Sequence, residues 1–238
     1  KDLRLLVRQA RTMGISVNII TNGILQDVIL SFVRDDLIDQ IGVSVDGNET
    51  AHDLIRGYGS DCKTVSTLQA IIEAGLSVTV YLTISSLSIN CLGELISELI
   101  ELGVDSFHLN EINRAGRVNT NRYLEISGLS EKEKIENISF QLEPLVEISD
   151  LSVDCSCAIS PRIAYVDFNG NVYSCAELAI THPETTIATL LDSDFAEKFQ
   201  KYHSDIKIPG KCRYSIYAVQ GLDICLNCSD SCPLRKEV

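Results

Sequence analysis

Seven of the nine cysteines in this 238-residue chain fall after residue 150, at Cys155, Cys157, Cys175, Cys212, Cys225, Cys228 and Cys232. Crowded thiolates repel one another, so a protein that gathers them neutralises their charge with a metal or removes it by oxidation. Cys157 is followed after twelve residues by Gly170, and Cys175 comes four residues after that glycine. A two-stranded ribbon over this stretch would bring Cys157 close to Cys175, with Cys155 similarly placed. Cys232, just ahead of Pro233, is the expected fourth thiolate. Cys225, Cys228 and Cys232 have gaps of two and three residues, close enough to share a metal or a cluster. On spacing alone, zinc and iron–sulfur are equally good readings. Cys62 and Cys91 stand apart from this set and read as core or surface residues.

Composition narrows the setting. A net charge of −13 suits polyanions poorly, because nucleic-acid binding draws its affinity from Lys and Arg on phosphates. No stretch approaches the roughly 20 apolar residues of a membrane span, and no secretory signal stands at Lys1. We therefore expect a cytoplasmic protein without nucleic-acid or membrane partners. Reducing conditions and an odd cysteine count both weigh against disulfides.

The elements that must position any site come earlier in the chain. Strands are expected at Ser16–Thr21, Ile38–Val45, Ser77–Ile84 and Asp105–Asn110, each rich in Val, Ile or Leu and mostly apolar on both faces, as parallel strands covered on both sides are. Leu68, Ile71, Ile72 and Leu76 follow one helical face, as do Leu92, Leu95, Leu99 and Leu102. Gly75 and Gly103 sit where helices should stop. The αβαβαβαβ pattern implies a parallel sheet with crossover helices, open or barrel-like. Lys1–Met13 reads as an amphipathic helix with no strand before it, so the parent protein is expected to extend upstream. A further helix is expected over Ser130–Ile148, capped by Ser130 and Glu133 and kinked by Pro144. Beyond it, Asn169-Gly170 signals a type I′ hairpin between Ile163–Asp167 and Asn171–Cys175, and a short acidic helix runs from Phe195 to His203. A domain boundary is expected near residue 150, giving units 1–150 and 151–238.

Four polar strings stand at or beyond strand ends: Thr21-Asn22-Gly23, Ser44-Val45-Asp46-Gly47, His52-Asp53 followed by Arg56-Gly57, and Gly116-Arg117. Ligands of parallel α/β sheets bind at the carboxyl ends of strands. In order and spacing these strings resemble the T-N-G, S-x-D-G and H-D-x-x-R-G signatures of the radical S-adenosylmethionine enzymes. The cysteine-rich tail resembles the SPASM auxiliary-cluster domain of peptide maturases and anaerobic sulfatase maturases, whose opening Cys–Gly–Cys spacing Cys157, Gly170 and Cys175 satisfy.

The resemblance implies a partial (β/α) barrel, of the kind built on a TIM-barrel plan, followed by a small Cys-rich domain with a β-hairpin. It implies S-adenosylmethionine and auxiliary [4Fe-4S] clusters as cofactors, a 5′-deoxyadenosyl radical that abstracts hydrogen, a peptide or protein substrate, possibly with a leader, and an electron donor. Thr21, Asn22, Ser44, Asp46 and Arg56 become candidate cofactor contacts, Ser44 and Asp46 through ribose or carboxylate groups and Arg56 through the cofactor's carboxylate. For Arg56 the alternative is a salt bridge with Asp53 or another nearby carboxylate. Asn90 and Arg117 are weaker candidates at the barrel mouth, and His52 and His108 read as structural. The seven tail cysteines become auxiliary ligands, with Cys228 and Cys232 matching the family's last pair.

Two departures qualify this. The family's C-x-x-x-C-x-x-C and G-G-E-P strings are absent from the chain, which alone should not generate the radical. The tail also replaces the usual Cys-x2-Cys-x5-Cys-x3-Cys run. A peptide-binding module without radical chemistry and a zinc-stapled structural protein are the alternatives.

Overall fold

The computed structural model describes residues 2–104, 106–111, 121–126, 128, 133, 137, 164–173, 179–180 and 183–205. The chain divides into two units, Lys1–Ile112 with Tyr123–Ser149, and Asn113–Arg122 with Asp150–Val238. No helix among the described residues is long and apolar enough to cross a membrane.

In the first unit, α1 (Asp2–Thr12), β1 (Asn18–Thr21), α2 (Gln26–Arg34), β2 (Gln40–Val45), α3 (Glu49–Arg56), α4 (Ser60–Glu73), β3 (Val78–Ile84), α5 (Leu92–Leu102) and β4 (Ser106–Glu111) follow in order. The four strands are parallel and lie in the order β1-β2-β3-β4. Each expected strand is present, shortened by one or two residues at its start. Leu68, Ile71, Leu92, Leu95 and Leu99 are buried as their helical spacing requires, and Gly75 and Gly103 follow α4 and α5 with positive φ.

Register assigns the strand residues to two faces. Ile19, Ile41, Val43, Val45, Val78, Val80, Leu82, Ile84, Phe107 and Leu109 belong to one cluster with Phe32 of α2, Ile71 of α4 and Ile96 of α5. The opposite face carries Asn18, Ile20, Gln40, Gly42, Ser44, Thr79, Tyr81, Thr83, Ser106 and His108. Along β3 the two faces alternate between buried and half-buried residues, and Ile20 on β1 is 58% exposed. The expectation of strands apolar and covered on both faces therefore gives way to helices on one face and a polar second face. Sequential strand order with helices packed on a single face is how a (β/α) barrel is built, whereas a doubly wound sheet reverses its order and is covered on both sides.

A second difference concerns His52-Asp53 and Arg56-Gly57, which form a helix rather than a loop. The Asn48 side-chain oxygen accepts from the Ala51 amide at 3.1 Å, capping α3 with Glu49 in its first turn. Helical spacing then puts His52 and Arg56 on one face.

In the second unit, β5 (Tyr165–Val166) and β6 (Asn171–Tyr173) form the expected hairpin, and β7 (Ala188–Thr189) extends it to three antiparallel strands. Its turn differs from the type I′ expectation. The Gly170 amide donates to the Asp167 carbonyl at 3.0 Å, and Gly170, but not Asn169, has positive φ. This matches a type I turn followed by a left-handed glycine. The reason lies in Asp167, whose carboxylate accepts from the amides of Asn169 and Asn171, each at 2.8 Å. Helix α6 (Phe195–Asp205) closes the described part. Of the helix expected over 130–148, residues 133 and 137 are described and helical.

Candidate functional site

Three of the four polar strings lie at or just after the exits of β1 and β2, and the fourth, Gly116-Arg117, lies outside the described residues. At the β1 exit, Thr21 Oγ1 accepts from the Gly23 amide and Asn22 Oδ1 from the Ile24 amide, both at 3.2 Å. Helix α4 holds this turn from the side: Thr64 Oγ1 donates to the Asn22 carbonyl at 3.0 Å and Thr67 Oγ1 to the Gly23 carbonyl at 2.6 Å. The side-chain oxygens of Thr21 and Asn22 are thus engaged in their own turn.

The β2 exit is built in layers. Asp46, 5% exposed, carries a carboxylate that accepts from Arg56 Nε and, at 3.3 Å, from Arg56 Nη2. Of the two readings of Arg56, the ion pair is made, and with Asp46 rather than Asp53. The contact uses one edge of the guanidinium. Nη1 has no partner among the described residues, and 27% of the Arg56 side chain remains exposed. Asp46 thereby fixes the plane of a cation that keeps free donors, as two-point arginine pairing does.

His52 lies beneath this pair, fully buried. Its Nδ1 accepts from the Asp46 amide at 3.2 Å, which requires a neutral ring with the proton on Nε2. Nε2 has no hydrogen-bond partner. Burial pushes the imidazole pKa down, with Arg56 adding to the shift while Asp46 and Asp53 oppose it. Asp53 faces away and starts the next helix, accepting from the amides of Asp61 at 2.8 Å and Gly59 at 2.6 Å and from Ser60 Oγ at 3.1 Å. These amides, Asp61 first, hold its carboxyl below the ordinary range.

Gly47 completes the turn with φ +151°, and a Cβ there would stand 2.6 Å from Ala51 Cβ. Ser44, one step inside the exit on the polar face, is half-buried, and its hydroxyl has no hydrogen-bond partner among the described residues. The arrangement therefore offers a hydroxyl and a pre-oriented guanidinium edge at one strand exit, suited to a ligand with hydroxyl and carboxylate groups.

No family model matches the chain. The pre-heme d1 synthase of Dinoroseobacter shibae is 31% identical over 125 residues, 51% of this chain and 30% of that protein. The probable GTP 3′,8-cyclase of Sulfurisphaera tokodaii is 27% identical over 164 residues, 65% of this chain and 52% of that protein. The chain thus spans from under a third to about half of the curated relatives it matches. Among solved structures, SuiB of Streptococcus suis bound to S-adenosylmethionine aligns with TM-score 0.60 at 13% identity, over 95% of this chain and 56% of that one. The enzyme anSMEcpe with bound AdoMet aligns with TM-score 0.61 at 15% identity, over 95% and 65%. The chain shares the partial (β/α) barrel fold of these structures.

Within this partial barrel, Asn90 is exposed after β3, and Arg117 lies outside the described residues. So do all seven tail cysteines, Cys155, Cys157, Cys175, Cys212, Cys225, Cys228 and Cys232. Among the described residues no group of His, Cys, Asp and Glu could hold a metal ion. His108, read from sequence as structural, is exposed on the polar face beside Tyr81. Sequence reasoning did not single out Tyr81, which stands beside His108 on this face. The available signal was Tyr81's period-two alternation with Val80 and Leu82.

Proposed function

We propose that this chain is the cofactor- and substrate-holding part of a radical S-adenosylmethionine enzyme that modifies a peptide or protein. The observation that carries the reading is Arg56, locked by Asp46 with one guanidinium edge free at the β2 exit of this barrel, where the Ser44 hydroxyl also lacks a partner among the described residues. Arg56 would take the cofactor's carboxylate and Ser44 a ribose hydroxyl, with Asp46 orienting Arg56. Bound at a reduced [4Fe-4S] cluster, S-adenosylmethionine supplies a 5′-deoxyadenosyl radical for hydrogen abstraction. The three cysteines of that cluster do not occur in their usual spacing among these residues. The reading assigns them to sequence beyond this chain, which alone would bind the cofactor without opening it.

A peptide substrate is supported by neighbours solved with peptides: SuiB bound to precursor peptide SuiA and anSMEcpe with the Cp18Cys peptide. Auxiliary iron–sulfur ligation by Cys155, Cys157, Cys175, Cys212, Cys225, Cys228 and Cys232 is supported by the resemblance of the tail to the auxiliary-cluster domain, as is an electron donor by the chemistry such clusters serve.

Two measurements test the reading. Calorimetric titration with S-adenosylmethionine should give binding by the intact chain that falls at least ten-fold in Arg56→Ala, the scale of a lost charge-assisted hydrogen bond; equal affinity of the two would overturn the site. Iron, sulfide and zinc analysis of anaerobically purified protein should return iron with sulfide. Colourless protein with stoichiometric zinc would make the tail a structural staple.

A further inference from the structure

Asp46 is held at two points by one helix. Its carboxylate accepts from the Arg56 guanidinium, and its backbone amide donates to His52 Nδ1 at 3.2 Å. The pairing of β2 with β3 ends at Val45, and the next amide along the chain is taken by the imidazole. His52 and Arg56 stand one turn apart on α3, which is why both reach the same residue.

The other edge of the imidazole adds nothing to stability. Nε2 is buried, carries the proton and has no hydrogen-bond partner, and a buried donor left unpaired costs free energy. An apolar side chain of similar size would fill the space without that cost. It would lack an acceptor for the Asp46 amide. What the imidazole contributes is therefore Nδ1, and Nδ1 accepts only while the ring is neutral.

The charged groups acting on the ring are Asp46 at the strand exit and Arg56 and Asp53 on its own helix. Burial, reinforced by Arg56, outweighs the two carboxylates and favours the neutral form. A proton on Nδ1 would set it against the Asp46 N–H, donor to donor. It would also place a second cation beside the Asp46 carboxylate, in competition with the guanidinium.

We propose that His52 is a positioning residue for Arg56, acting through Asp46, and that the β2 exit presents its oriented guanidinium edge only while the imidazole is unprotonated. This rests on the reading of Arg56 as the contact for the S-adenosylmethionine carboxylate, and adds a proton-linked control to it. Protonation of His52 and binding of the ligand oppose one another, so each weakens the other by the same factor.

Calorimetric titration of the intact chain with S-adenosylmethionine, from pH 7.5 down to pH 4.5, tests this. His52→Asn can set an amide oxygen where Nδ1 stands and does not titrate, so it should rescue binding at every pH. The ratio of wild-type to His52→Asn affinity cancels the titration of the ligand itself and should fall about ten-fold across this range, the scale of a lost charge-assisted hydrogen bond. His52→Leu, without an acceptor, should bind weakly throughout, with circular dichroism reporting the fold. A ratio that stays constant, or full affinity in His52→Leu, would reduce His52 to a packing residue and overturn the inference.

NMR of the wild-type chain without ligand separates this inference from the reading beneath it and needs no variant to fold. The Arg56 Nε–H resonance should shift as the His52 imidazole titrates, and added S-adenosylmethionine should lower the His52 pKa. An Arg56 resonance indifferent to His52 protonation would sink the inference even where S-adenosylmethionine binds through Arg56. Coupled titration of the two residues, with S-adenosylmethionine affinity unchanged in Arg56→Ala at every pH, would sink the carboxylate reading and leave the proton-linked clamp on Asp46 standing.

Discussion

The exits of β1 and β2 begin from similar material, a short polar side chain and a glycine after a parallel strand, and use it in opposite ways. At β1, the side-chain oxygens of Thr21 and Asn22 accept from amides two residues on, and two threonines of α4 tie down the carbonyls. At β2, the equivalent polar group is a buried carboxylate that accepts from Arg56 of the following helix, while His52 of that helix accepts from the Asp46 backbone amide. A self-contained turn has little left to offer a ligand. A turn supported from a neighbouring helix can present an oriented cation. The difference arises because α3 starts only a few residues after β2, placing its i and i+4 side chains over the strand end.

The contrast is tested most severely at Arg56. Arg56→Ala leaves the Asp46 carboxylate, 7% exposed, without its cation. Breaking a fully buried pair costs about 3–5 kcal/mol; because Arg56 is partly in water, we expect about 2 kcal/mol, read from the urea midpoint. Arg56→Lys should recover part of the stability but little of the S-adenosylmethionine affinity, since a point charge cannot hold the two-atom contact and also present a free edge. A cost below about 0.5 kcal/mol, as for an ordinary surface change, would mean the β2 exit is no more supported than β1.

Gly47 ranks next. Its φ of +151° suits glycine, and the added Cβ would meet Ala51 at 2.6 Å and Ser88 at 3.2 Å. Gly47→Ala should cost about 1–3 kcal/mol through backbone strain and crowding. It should also lower S-adenosylmethionine affinity, because Asp46 and the start of α3 must shift. Loss of stability with unchanged affinity would separate the turn from the site.

How these exits could be anticipated differs by kind of signal. The four strands and their helices were legible because burial enforces periodicity, as at Val78, Val80, Leu82 and Ile84 on β3. The polar strings were legible as positions, but not as roles: spacing shows that His52 and Arg56 are four apart, and only the capping of α3 by Asn48 turns that interval into a shared face over Asp46. The hairpin was legible from Asn169-Gly170, yet its turn type was set by Asp167, two residues upstream. The open polar face was misjudged because Val and Ile on alternate positions look alike whether one face is covered or both. Tyr81 and His108 could not be paired in advance, since their contact depends on strand register.

A smaller effect separates the exits by pH. Burial holds the folded His52 pKa below its ordinary 6.5, so above that value both folded and unfolded states are neutral there and its contribution is at its full value. As pH falls below 6.5 the unfolded chain binds the proton first, and stability declines until the folded pKa is passed. The difference in unfolding free energy between wild type and His52→Gln should therefore shrink as pH drops from 7 towards 5. A pH-independent difference would show that burial does not hold His52 neutral in the folded state.

The smallest effects are expected at β1, where they bear most directly on the comparison. Thr21→Val and Asn22→Ala each remove one hydrogen bond from a half-buried or exposed turn, worth about 0.5–1.5 kcal/mol, and the backbone ties from Thr64 and Thr67 remain. S-adenosylmethionine affinity should stay unchanged in both, while Ser44→Ala lowers it, because the Ser44 hydroxyl, unlike the Thr21 and Asn22 oxygens, has no partner among the described residues. Asn22 is the residue that could break this pattern: its oxygen is engaged in the turn, but its amide nitrogen is open. A ten-fold loss of affinity in Asn22→Ala with little change in stability would place both strand exits on the ligand, and the division between a closed turn and a presenting one would fall.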